Sequence, residues 1–170
     1  MEASTSGQID AEQTFDKEVA TNIRVQTEDF DVGQQHRWLS NNSPSTGAVV
    51  CFTGLVREFS EREGVLGLVL EHYPGMTQRA LQSIVEEARQ RWPLQRVSVI
   101  HRIGQLLTQD NIVLVGVSSA HRDSAFDAAK FIMDALKTRA PFWKKELTKE
   151  GSFWVDARAS DQLAAAQWQD

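Results

Sequence analysis

With one cysteine, Cys51, the chain can form no internal disulfide, and a reducing compartment is the simplest inference. It also lacks an excess of positive charge. The formal net charge of −5 argues against a general affinity for nucleic acid or for an anionic membrane, both of which need a basic surface. No apolar run approaches the length needed to cross a bilayer. The opening Met1-Glu2-Ala3-Ser4-Thr5-Ser6-Gly7-Gln8 has neither the basic start nor the apolar stretch of a secretory signal, so a cytoplasmic protein is expected. No two of the four histidines have the close spacing of a zinc site, and one cysteine adds little, so neither a metal nor another cofactor is expected. A P-loop, a dinucleotide glycine fingerprint and a Gly-x-Ser-x-Gly elbow are all missing. Cys51 lies in an apolar run without an activating neighbour and reads as inert packing.

What is present fits one domain of 170 residues with a real hydrophobic core. Residues 1–21 are polar, acidic and aperiodic and read as a disordered or poorly ordered extension, with a single domain over 22–158 and a helical tail over 159–170. Asn22 to Gln26 alternates like a strand. Asp31 to Ser40 predicts a helix with Val32, Gln35 or His36, and Leu39 inward. Gly47 to Val56 is apolar and predicts a buried strand, followed by a mobile loop over Arg57 to Gly64 and a strand over Val65 to Tyr73. Leu81, Ile84, Val85, Ala88 and Trp92 recur at helical spacing until Pro93. Leu94 to Ile100 and Asn111 to Ser119 predict two strands connected through Ile103 to Leu107. A second helix presents Phe126, Ala129, Ile132, Met133 and Leu136 on one face, capped by Asp123 or Ser124, and a short strand covers Ser152 to Asp156. Strand pairs with helices inserted between them predict an α+β domain with a mainly antiparallel sheet and two principal helices.

The run Leu136 to Glu146 sets Lys137, Arg139, Lys144 and Lys145 around Pro141, Phe142 and Trp143, a composition able to hold an anion in a half-dry pocket. Pro141 bends or ends a continuing helix, so Lys137 and Lys144 can converge from either side of the break. Near the apolar boundary, partial burial and neighbouring cations would lower a lysine's pKa and make it a better acid or base. The commoner fate of such a lysine is a solvated helix end. His121 and Arg122 sit between a strand and a helix start, where an anion is favoured; equally, His121 fills a turn and Arg122 pairs with an exposed acid. Arg57 stands where a guanidinium can grip a phosphate or carboxylate, although most loop arginines are simply exposed. His72 and His101, beside strands, read as packing residues.

Five segments in order resemble the large, catalytic subunit of molybdopterin synthase: Phe52-Thr53-Gly54-x-Val56-Arg57, Leu70 to Met76, His101-Arg102-Ile103-Gly104, Ala120-His121-Arg122 and Lys137 to Glu146. The resemblance spans about residues 22 to 158 and implies an α/β hammerhead-like fold whose catalytic domain is that span. It implies a sulfur transferase of molybdenum cofactor synthesis that converts cyclic pyranopterin monophosphate to molybdopterin. The implied partners are a small ubiquitin-like sulfur carrier with a C-terminal Gly-Gly thiocarboxylate and a second copy of the large subunit, at the centre of a heterotetramer. Carried over by position, substrate contacts fall on Leu55, Val56, Arg57, His121, Arg122, Lys137, Lys144, Lys145 and Glu146, with Lys137 and Lys144 catalytic. Arg158 resembles a further anion-binding arginine, for its own or the neighbouring subunit's pocket. Some relatives have lysine in place of Leu55, so here only its backbone is an expected contact. Two rival readings of the basic cluster remain: a noncatalytic module that captures a carboxylate-ended peptide, and a stand-alone phosphohydrolase.

Overall fold

The computed structural model describes residues 21–41, 43–58, 63–156 and 158–169. The extension expected over 1–21 lies outside them except for Thr21, and the loop expected after Arg57 is described only in part. Eight strands and four helices follow in the order β1 (Thr21–Gln26), α1 (Val32–Ser40), β2 (Ala48–Leu55), β3 (Val65–His72), α2 (Met76–Arg91), β4 (Leu94–Arg102), β5 (Gly104–Leu107), β6 (Asn111–Ser119), α3 (Arg122–Arg139), β7 (Phe142–Thr148), β8 (Gly151–Val155) and α4 (Ala159–Ala166). They form two four-stranded sheets, ordered β1-β4-β6-β2 and β5-β3-β7-β8. Only the β1–β4 pairing is parallel, so the α+β, mainly antiparallel expectation holds, divided between two sheets.

The first sheet carries the main core. Val113, Val115 and Val117 of β6 and Val97 and Val99 of β4 pack against Leu81, Ile84, Val85 and Ala88 of α2 and Ala128, Ala129, Ile132 and Leu136 of α3. Each such branched side chain, once buried, contributes about 1.5–3 kcal/mol. Alternation turns Leu114 and Gly116 to the other face, where α1 lies; a methyl group on Gly116 would come within 2.5 Å of Leu39 Cδ1. Asp31 caps α1 by accepting from the Gln34 amide at 2.9 Å, and buried Gln35 accepts from Ser98 Oγ at 2.8 Å and Asn22 Nδ2 at 3.1 Å. The second sheet closes a smaller core of Val56, Val65, Leu68, Leu70 and Leu106.

Several expectations are corrected. The strand expected to be buried over Gly47 to Val56 is a half-buried edge strand: β2 pairs with β6 alone and leaves Phe52 and Leu55 exposed. An apolar run reports strand propensity and does not say how many neighbours the strand has. The expected connection Ile103 to Leu107 is mostly the strand β5, which leaves the first sheet at Gly104 (φ 82°) and joins the second by pairing Leu106 with Leu68. Helix α3 begins after His121, neither Asp123 nor Ser124 being its cap, and it buries Ala125, Ala128, Phe131 and Ala135 while Phe126 faces solvent. Phe142 to Thr148, for which no strand was expected, is β7, an interior strand of the second sheet. Among the described residues no helix is long and apolar enough to cross a membrane, and no group of three His, Cys, Asp or Glu is arranged to hold a metal.

Candidate functional site

Lys137 lies in the last turn of α3, whose end is closed by the Ala140 amide donating to the Leu136 carbonyl at 3.2 Å. Pro141 cannot extend the helix, and the chain enters β7 one residue later. That corner is fixed from two sides: Thr77 Oγ1 donates to the Pro141 carbonyl at 3.2 Å, and the His101 ring stacks on Phe142 with centroids 3.7 Å apart and planes 14° apart. Burial, with a smaller push from the charge of His72, lowers His101 to about 4 against the opposing pull of its hydrogen bond at the Arg102 carbonyl. The ring is therefore neutral at physiological pH and packs as an apolar plate, consistent with its reading as a packing residue.

Along β7 the side chains alternate. Phe142, Lys144 and Glu146 point toward the interior, whereas Trp143 is exposed and Lys145 lies over the Trp154 ring at 4.4 Å. The register sets Lys144 between Leu70 of β3 and Val155 of β8, and Glu146 between Leu68 and Phe153. Glu146 is buried with only 1% of its surface accessible. A charged pair stands where a plain β-sheet core would place aliphatic residues, a departure from local pattern of the kind found at functional positions.

Burial pushes the Lys144 ammonium below its ordinary value. The carboxylate of Glu146 opposes that, and the positive charges of Arg158, Lys137 and Arg57 add to it. Three cations from separate parts of the chain are therefore gathered within electrostatic reach of Lys144. Arg57 is delivered by Val56, whose side chain is buried in the smaller core, whose amide donates to the Asp110 carbonyl at 3.0 Å and whose carbonyl accepts from the Gln109 amide at 2.8 Å. Leu55, the exposed residue before it, ends β2 at a register shift. Arg158 arrives through the short step from β8 to α4, of which it is the N-cap, and acts on Lys144 of its own chain. Lys137 remains 48% exposed, and its Nζ donates to Asp161 Oδ1 at 3.2 Å.

His121 and Arg122 are not part of this cluster within one chain. They occupy the opposite end of the 18-residue helix α3 from Lys137, about 23 Å away at 1.5 Å per residue. Both are exposed, and Arg122 forms only a 3.7 Å ion pair with its neighbour Asp123. Asp161 was not singled out from the sequence, and no short spacing or motif links it to Lys137; the contact exists only because α4 folds back along α3.

The family described as MoaE protein matches residues 25–139. The molybdopterin synthase catalytic subunit of Escherichia coli strain K12 is 60% identical over 148 residues, which are 87% of this chain and 98% of that protein. The molybdopterin biosynthesis MoaE protein from Burkholderia ambifaria superposes with a TM-score of 0.75 at 47% identity, covering 88% of this chain and 99% of that one. Molybdopterin synthase from Staphylococcus aureus gives a TM-score of 0.71 at 36% identity, covering 78% of this chain and 95% of that one. The chain belongs to the MoaE family, as the ordered segments around Arg57, His121-Arg122 and Lys137 to Glu146 had indicated.

Proposed function

We propose that this protein is the catalytic subunit of a cytoplasmic molybdopterin synthase. It takes sulfur from the C-terminal thiocarboxylate of a small ubiquitin-like carrier and installs it in cyclic pyranopterin monophosphate, giving the dithiolene of molybdopterin. The observation that carries this reading is the half-buried Lys144 ammonium in the joint field of Arg57, Lys137 and Arg158, in a chain of this family. Both reactants are anionic. Two unit charges 4 Å apart repel by about 4 kcal/mol at an effective dielectric constant of 20, so they meet only where fixed positive charge offsets that cost.

In this reading residues 22–158 are the catalytic domain and 159–170 a tail whose helix α4 borders the site. Arg57 and Arg158 grip phosphate or carboxylate oxygens through guanidinium forks. Lys144, whose proton is held less tightly than that of a free lysine, serves as the proton carrier while the carrier's sulfur bonds to a pterin carbon and the cyclic phosphate opens. Water then cleaves the remaining acyl–sulfur bond and leaves the carrier with a carboxylate, and a second thiocarboxylated carrier delivers the other dithiolene sulfur in the same way. Lys137 orients the thiocarboxylate. Leu55 and Val56 contribute backbone contacts, and Lys145 and Glu146 line the same strand.

His121 and Arg122 join a pocket of this kind only from a second copy. Two features favour such pairing. β2 is an edge strand without a charged side chain from Ala48 to Leu55, a surface that proteins ordinarily cover or blunt, and Phe126, one helical turn after Arg122, is 63% exposed.

The test is reconstitution with thiocarboxylated carrier and the cyclic pterin. Molybdopterin should form, and Lys137→Ala or Lys144→Ala should slow single-turnover transfer by at least about 100-fold at saturating carrier. Carrier binding without dithiolene formation would instead identify a docking module, and phosphate opening without carrier a phosphohydrolase.

A further inference from the structure

The C-terminal helix α4 contains no buried residue of its own, yet it lies against α3 beside Lys137. A cavity of about 580 Å³ opens between it and helices α2 and α3, lined among others by Glu87, Arg139, Gln162 and Trp168, so its inward face is only partly packed. The side-chain contacts that hold it lie toward its two ends. At the far end Trp168 stands edge-on to Trp92 and Phe131, each with centroids 5.7 Å away, and its indole N–H donates to Asp134 Oδ2 at 2.9 Å. Arg91 donates to the Trp168 carbonyl at 2.6 Å, and Gln167 donates to Asp134 at 3.2 Å. At the near end Arg158 enters the field of Lys144, and Asp161, whose amide donates to the Arg158 carbonyl at 3.1 Å, accepts from Lys137.

We infer that Asp161 is a positioning residue for Lys137, held in place by a C-terminal arm anchored through Trp168. This inference rests on the reading of Lys137 as a catalytic group. A lysine at a helix end has four free side-chain torsions, and fixing it costs up to about 2 kcal/mol of conformational entropy. Asp161, with only 23% of its side chain exposed against 48% for Lys137, is the more constrained of the two and can impose that order before substrate arrives. The contact is compatible with activity because an ammonium has three donors: one is engaged by Asp161, and the remaining two are available to an anion. Arm and site are thus one unit, with Arg158 and Asp161, a turn apart, acting on the two lysines.

The experiment uses full-length protein reconstituted with thiocarboxylated carrier and cyclic pterin, with urea midpoints measured for every variant. Asp161→Asn should lower kcat by about fivefold, the equivalent of one partly exposed ion pair, with KM for the pterin, carrier affinity and urea midpoint unchanged. Asp161→Glu should recover part of the loss. Trp168→Ala, which retains Asp161, should reproduce the same kcat fall. Independently of turnover, limited acetylation read by mass spectrometry should find Lys137, and not Lys144, several-fold more reactive in Asp161→Asn. An unchanged kcat and an unchanged Lys137 labelling rate in Asp161→Asn would overturn the inference, and a rise in kcat would overturn it in favour of masking. A full effect of Asp161→Asn with none of Trp168→Ala would overturn the anchoring role. Wild-type protein that forms no dithiolene would instead refute the proposed function and leave only the labelling result to judge Asp161.

Discussion

Lys144 and Lys137 are both lysines flanking one proline, yet their surroundings differ in kind. Lys144 is half-buried among cations with one carboxylate on its own strand; Lys137 is half-exposed and held by an aspartate. Divergent surroundings of two like groups are how proteins assign one to proton transfer and the other to charge stabilisation. The lowered pKa of Lys144 gives a signed prediction. Because the positive charge of Arg158 helps to lower it, Arg158→Ala should raise it, so the pH at which the single-turnover rate reaches its plateau should move upward. A pH–rate profile at saturating carrier, wild type against Arg158→Ala, measures this directly; coincident profiles would remove Lys144 from the proton-transfer role. The sequence supplied the identity of both lysines and allowed partial burial for either, without saying which would be drawn inward. The strand decides it at Lys144, because β7 turns alternate residues into the sheet interior.

At the level of elements, β7 and α3 explain what the pattern of residues did and did not reveal. Helix α3 is plain in the sequence as a helix, but its inward face is made mainly of alanines, whose small side chains let it lie close to the sheet. Phe126 therefore misled by size, being large and apolar but outside the buried stripe. Strand β7 was hidden because two of its inward positions are Lys144 and Glu146, so the apolar alternation that announces a strand is replaced by charge. The passage from β4 to β5 depends on Gly104, whose φ of 82° lies in the left-handed region. Gly104→Ala should lower stability by about 1–2 kcal/mol, read as a reduced urea midpoint at unchanged slope. Since β5 borders β3, which in turn pairs with β7, the same variant should loosen the strand that carries Lys144, and hydrogen exchange along β7 should rise with it.

On the scale of the whole molecule, one chain gathers Arg57, Lys137, Lys144 and Arg158 at one end of α3 and leaves His121 and Arg122 at the other. A twofold pairing that lays the two copies antiparallel along β2 and α3 would bring the His121 end of one copy to the Lys137 end of the next, since an isologous contact exchanges the two ends of the same surface. Complementation tests this. Lys144→Ala and Arg122→Ala chains, each inactive alone, should regain about a quarter of wild-type activity when unfolded and refolded together in equal amounts. Half of the pairs are then mixed, and each mixed pair has one intact site. No recovery would mean that each chain uses its own His121 and Arg122, or neither.

By itself the sequence determined the α+β class, the two principal helices, the family and the side chains available to a site, because these depend on local periodicity and on residue types in fixed order. Only the tertiary structure decided which of those side chains lie together. The charges around Lys144 come from positions 57, 137, 146 and 158, and Asp161 reaches Lys137 across 24 residues. Such convergence is set by strand register, by a glycine that sends the chain from one sheet to the other and by a tryptophan that folds the tail back. Those long-range packing choices leave no periodic trace in the residues they bring together.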